Sequence, residues 1–346
     1  DAAVGLRLGG ALRPWFYFRA PGEGQQWLER LLDMPGAAAQ DAVRGRALFS
    51  AGACAVQRGE WQVAVAYFEA AAASLRAAED LPALSRALVC LGVFLPAAEG
   101  DRAQALAEEA LRLARAVGGS YDVAWVEGVV GQALLWHGGN GAVARGHLEA
   151  ALRRARALDA DWLATAVLHS LATLAAVEGQ HEEARALLHE VLPLAEAVGD
   201  RMNTAISHML LAQLATTVDD QAEAAAHWRR ALEVAQDVGS ASATALCLTG
   251  IAGLLRAPQQ AGQVVRLLAA SDWLRQAGEQ HPVLGPQFQT AFQQALAATE
   301  ATMSAAAFAQ AWAEGEALSL DQATDLALAE LAAPAPGAHP GSAAGS

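Results

Sequence analysis

The residues whose spacing comes nearest to a reaction or cofactor centre are Gly139-Asn140-Gly141-Ala142-Val143-Ala144, with Asp159 twenty residues past the first glycine. A dinucleotide site needs such a loop directly after a buried strand, so that a pyrophosphate meets a helix N-terminus. Here Gln132-Ala133-Leu134-Leu135-Trp136-His137 precedes the loop and reads as a helix end. His181-Glu182-Glu183-Ala184-Arg185 starts like a zinc-protease helix but has Arg where the second His ligand is required. His181 and His189 stand eight residues apart, about 12 Å along a helix, too far to share one ion. The histidines therefore read as solvated helix positions. A phosphate-binding GxxxxGK[ST] loop is excluded, because all 23 basic residues are Arg. Cys54, Cys90 and Cys247 are odd in number and widely separated, so they form neither a disulfide framework nor a CxxC metal site. The sequence offers no catalytic, cofactor-binding or metal-ligating set, and no enzyme is expected.

The elements that hold these residues are helical. Of 346 residues, 54% are hydrophobic and 17% charged, and Ala fills about a quarter of all positions. Ala is the strongest helix former, since it loses no side-chain entropy on ordering. β-branched runs bounded by turn residues are missing, which excludes a mainly β fold. The net charge of −14 opposes a phosphate backbone, so direct nucleic-acid binding is not expected. No leader and no apolar run of membrane-spanning length appear, and unpaired thiols fit a reducing compartment, so the expected location is the cytoplasm.

The chain repeats. Candidate helix N-caps fall at Asp41, Asp80, Ser120, Asp161, Asp200 and Ser240, at spacings of 39, 40, 41, 39 and 40 residues. A second series, about twenty residues out of phase, holds turn-forming pairs: Gly59-Glu60, Gly100-Asp101, Gly139-Asn140, Gly179-Gln180 and Asp219-Asp220. The GxGxxA is thus one hinge in register with four others. Gly52, Ala172 and Ala212 lie seven residues before a hinge; Phe68, Leu148, Leu188 and Trp228 lie nine after it. Small residues let helices touch while large ones fill the gap between hairpins.

This pattern resembles the tetratricopeptide repeat in its long, roughly 40-residue form. The resemblance implies an all-α, right-handed superhelical solenoid of stacked antiparallel helix pairs. Its expected parts are a closing helix pair over 1–34, an array of about six hairpins over 41–278, capping helices over 283–332 and a Pro/Ala/Gly-rich linker over 333–346. Within 1–34 a turn is expected at Pro21-Gly22, and a Pro- and Gly-interrupted loop at 281–286.

The flanks carry a narrower likeness. Leu8-Gly9-Gly10-Ala11-Leu12-Arg13-Pro14-Trp15-Phe16-Tyr17-Phe18-Arg19 is similar to the segment after the ATPase core of bacterial signal-transduction ATPases. Phe308-Ala309-Gln310-Ala311-Trp312-Ala313-Glu314-Gly315 is similar to the end of their repeat region. In LuxR-type members a linker and a DNA-binding domain follow. The likeness implies a sensor or interaction region serving neighbouring ATPase and DNA-binding domains; a free-standing adaptor is the alternative.

In such repeats the first helix of each hairpin lines the concave face, about ten, six and three residues before the hinge. That register nominates Phe49, Cys90, Phe94, Trp136, His169, Thr173, Met209 and Gln213 as groove residues, among smaller neighbours such as Ala53, Ala97 and Thr216. The set is uncharged and lacks the Lys, Arg and Asn of carboxylate-clamping repeats. It suits an apolar peptide, a small-molecule effector or a protein partner. Packing between neighbouring repeats would use the same side chains.

Overall fold

A computed structural model describes residues 1–39, 41–277 and 284–332. Residues 278–283, which hold the first half of the loop expected at 281–286, and the expected linker over 333–346 lie outside the described residues; residues 284–286 instead open the helix Leu284–Glu300. The described chain is an all-α solenoid.

Six antiparallel hairpins form its body. They pair α4 (Asp41–Arg58) with α5 (Trp61–Ala77), α6 (Leu81–Phe94) with α7 (Gly100–Val117), and α8 (Ser120–Trp136) with α9 (Gly141–Ala157). The series continues with α10 (Asp161–Val177) on α11 (His181–Val198), α12 (Arg201–Thr217) on α13 (Gln221–Val238), and α14 (Ala241–Leu254) on α15 (Ala261–Ala277). At one end lie α1 (Ala2–Ala11), α2 (Arg13–Arg19) and α3 (Pro21–Leu32). At the other, α16 (Leu284–Glu300), α17 (Ala305–Glu316) and α18 (Leu320–Ala332) pack on the last hairpin.

The first-helix starts show how the repeat is built. Asp80, Asp200 and Ser240 cap their helices, accepting from the N–H groups of Ala83, Asn203 and Ala243. Ser120 and Asp161 instead sit one residue inside, after Gly119 and Ala160. Between helices the backbone passes through the left-handed region at a spacing near twenty residues. Gly59, Gly138, Gly179, Gly199 and Gly239 take this role, and so do Glu79, Asp159 and Asp219 at φ 54°, 49° and 58°.

The second hinge differs. Pro96 follows α6, a short 3₁₀ turn spans Ala97–Glu99, and Gly100 opens α7. Its register is therefore one residue earlier than the Gly100-Asp101 pair indicates, as it is at Gly138. With that shift each of the first five hairpins has a small residue at the position seven before the hinge. Gly92 and Gly131 join Gly52, Ala172 and Ala212, and a β-carbon on Gly92 would stand 3.1 Å from the Ala103 carbonyl oxygen. Close backbone approach explains the glycine.

The N-terminal end corrects the expected single pair. Pro21 does not turn the chain; it occupies the first position of α3, where its missing N–H is no loss. Leu6, Phe16 and Leu28 are buried with Ala47, Ala51 and Cys54 of α4, closing the outer face of the first hairpin. The remaining core divides into one cluster from α4 to α11 and another from α10 to the C-terminal helices.

Candidate functional site

The inner faces of α4, α6, α8, α10, α12 and α14 enclose a cavity of about 420 Å³. Each helix contributes side chains: Phe49, Cys90, Phe94, Trp136, His169, Thr173, Met209 and Leu246 all line it. Seven of the eight nominated groove residues thus share one space; Gln213 does not reach it.

One end of the wall is a continuous aromatic surface. The Phe94 ring stacks on Trp61 at 5.6 Å and on Phe68 at 6.1 Å, and meets Trp136 edge-on at 5.7 Å. Phe49 touches Phe68 at 5.6 Å and Trp125 at 6.1 Å. Phe94 can reach these rings because it is the last residue of α6, where the chain turns out at Leu95 and Pro96. Offset and edge-to-face pairs of this kind add about 0.5–1.5 kcal/mol each beyond area burial.

Polar groups on the wall are few. His169 is buried, and its Nε2 has no hydrogen-bond partner among the described residues. Burial lowers its pKa to about 4, so the ring is neutral at neutral pH. The Thr173 hydroxyl donates to the His169 carbonyl at 2.9 Å. Burial pushes the Cys90 thiol up to about 12, which leaves too little thiolate for nucleophilic chemistry. Neither His169 nor His208 is a solvated helix position; both are buried.

The groove is not free of cationic and amide groups. Helix α2 brings Arg13, Pro14 and Tyr17 to the cavity, and α12 brings Asn203. The Arg13 guanidinium lies 5.4 Å from the centre of the Phe49 ring. Tyr17 hydrogen-bonds Gln57 and meets the Trp162 ring edge-on at 6.2 Å. Burial, followed by the nearby Asp200 carboxylate, raises the Tyr17 pKa, so its hydroxyl stays protonated. Arg19, at the end of the same helix, lies beside Gly199. Helix α2 therefore crosses the concave face from the first hairpin towards the fourth and fifth. The i, i+4 spacing of Arg13 and Tyr17 sets both on one face of α2, but the spacing does not say which element that face meets.

Gly139-Asn140-Gly141 joins two helices. Asn140 caps α9 through the Val143 N–H at 3.2 Å, and the preceding element is α8, not a strand. Among the described residues no cluster of three or more His, Cys, Asp or Glu could hold a metal ion. No described helix is long and apolar enough to cross a membrane.

Known proteins give the repeat its name. Residues 162–237 match the family model of the tetratricopeptide repeat. The match covers α10 to α13, the fourth and fifth hairpins. Among solved structures, a Rap protein complexed with competence and sporulation factor is similar over 84% of each chain, at 12% identity and a TM-score of 0.56. Aspartyl phosphate phosphatase F from Bacillus subtilis aligns over 95% of this chain and 93% of its own, at 12% identity and a TM-score of 0.44. No curated protein matches the sequence. The fold is that of a tetratricopeptide-type solenoid.

Proposed function

We propose that this chain is the non-catalytic sensor region of a larger bacterial transcriptional regulator of the LuxR-type ATPase group. Its effector occupies the concave-face cavity. The observation that carries the sensing role is that all six first helices contribute to one cavity wall. A ligand held there sits between hairpins whose spacing sets the cavity's shape, so its binding free energy favours one curvature of the stack over others. A change in curvature moves the two ends, where the ATPase and DNA-binding domains of the parent protein would attach. The flanking motifs at 8–19 and 308–315 support that parent.

The sensing role is tested with Ala166→Trp, which fills the cavity from α10. A metabolite that binds raises the melting temperature of the native chain, by a free energy of RT ln(1 + [L]/Kd), and leaves the variant unmoved. Equal shifts in both proteins would place the ligand elsewhere. The parent is tested by immunoblot of source cells. A polypeptide well above 35.8 kDa supports the regulator, whereas one at 35.8 kDa leaves a free-standing adaptor.

A further inference from the structure

We propose that the cavity selects a hydrophobic monocarboxylic acid, its carboxylate paired with Arg13 and its apolar body laid against the aromatic wall. This rests on the reading of the cavity as the ligand site and adds the chemical class of the ligand.

Arg13 is the one residue of the wall with a full charge; the wall carries no carboxylate. Among the described residues no Asp or Glu pairs with Arg13, although the chain holds 37 acidic residues against 23 basic. Arginines elsewhere find partners, as Arg145 does with Glu178 and Glu183 and Arg154 with Glu127. The neighbouring Arg86 is neutralised by Asp122. Arg13 instead has the face of Phe49, which holds the guanidinium in place without neutralising it. Burial and the Arg86 charge both weaken its hold on its proton. A guanidinium partly withdrawn from water with no counter-ion is unfavourable, and a ligand carboxylate, able to accept two parallel N–H bonds, relieves that directly.

The rest of the wall defines the body of the ligand. Phe94, Trp136 and Met209 demand apolar surface, while the unpartnered Nε2 of His169 can meet one further polar atom. A volume of about 420 Å³ sits low in the ~300–1,000 Å³ range of small-molecule sites, which favours one small acid over a long peptide. Net ligand charge is set by Arg13 alone: one anion, no cation.

The test is calorimetry of the full chain with sodium octanoate and with octan-1-ol, which share an apolar tail and differ in charge. The native protein should bind octanoate at least about tenfold more tightly than octanol, the discrimination expected of a charge-assisted hydrogen bond. Arg13→Gln should erase the preference, bringing octanoate and octanol to equal affinity, and Arg13→Lys should keep part of it. Circular dichroism and melting establish that each variant is folded. Equal binding of acid and alcohol by the native chain overturns the carboxylate proposal while the cavity reading stands. A preference that survives Arg13→Gln overturns it too, by placing the anion elsewhere. If neither compound binds, or if Ala166→Trp leaves binding intact, the cavity reading falls and the proposal falls with it.

Discussion

The imidazoles of His208 and His227 face each other between α12 and α13, with their Nδ1 atoms 2.9 Å apart. One ring donates and the other accepts, which requires both Nδ1 positions to share a single proton. Burial first, and the His227 ring second, lower the His208 pKa to about 4. Around the pair, Glu223 lies 3.8 Å from His227 Nε2, and the Arg185, Arg230 and His189 charges also act on it. His169 is lowered to about 4 by burial alone. Unfolded, each histidine takes up a proton near pH 6.5, whereas the folded chain does not, so stability falls as pH falls from about 7 towards 4. At pH 5 the loss from His169 and His208 is about 2 kcal/mol each. Calorimetric melting between pH 5 and 7.5 should show this slope, and His169→Met should remove roughly half of it. A melting temperature independent of pH over that range would contradict the buried neutral rings.

Gly52 is the small residue of the first hairpin, and a β-carbon there would stand 2.7 Å from Cε1 of Phe68. Gly52→Ala sets two effects in opposition. Helix propensity favours Ala by about 1 kcal/mol, while overpacking a filled core costs about 1–3 kcal/mol. Phe68 cannot give way, because it is buried and held between the Phe49 and Phe94 rings. Overpacking therefore wins, and urea denaturation should show a net loss of up to about 2 kcal/mol.

Much of this was legible in the chain because it repeats. Period, hinges and the small-large pairing follow from steric demands that recur every forty residues, and Gly52 with Phe68 shows them directly. Most of the nominated groove residues meet in one cavity because they occupy equivalent positions on successive first helices. Arg13 was hidden for the opposite reason. It lies in a flank outside the period, and its place in the cavity depends on how α2 crosses the stack, which no local pattern encodes. The displaced caps at Ser120 and Asp161 have a smaller cause: adjacent residues, Gly119 and Ala160, occupy the cap position, and at α8 the Asp122 carboxylate accepts from the Gly119 N–H instead.

Asp159 is exposed and holds φ 49° at the turn between α9 and α10, where Gly199 and Gly239 occupy the equivalent turns between later hairpins. A side chain in the left-handed region costs of order 1–3 kcal/mol, and Gly adds about 0.5–1 kcal/mol of unfolded-state entropy against it. The balance favours glycine. Asp159→Gly should stabilise the chain by roughly 0.5–1 kcal/mol, seen as a higher urea midpoint at unchanged slope. A drop in stability would mean that Asp159 makes a compensating contact.

Glu127 is the buried carboxylate of α8, with a side chain only 4% exposed. It accepts from Arg115 of α7 at 3.2 Å and from Arg154 of α9 at 3.0 Å, joining two hairpins through one group. Both arginines remain about half exposed, at 56% and 49%, so water can rehydrate them when the carboxylate is lost. Glu127→Gln keeps the shape and one acceptor but removes the charge. The loss should therefore be about 1–2 kcal/mol, below the 3–5 kcal/mol of breaking a fully buried pair. Glu127→Leu removes both acceptor and charge but fills the site with apolar surface, and its loss should be similar. Chemical denaturation at low and high salt separates the causes: a buried carboxylate is weakly screened, so the Gln variant should lose nearly the same amount at both. A loss that vanishes at high salt would mean that Glu127 acts as a surface charge and not as the buried tie between hairpins.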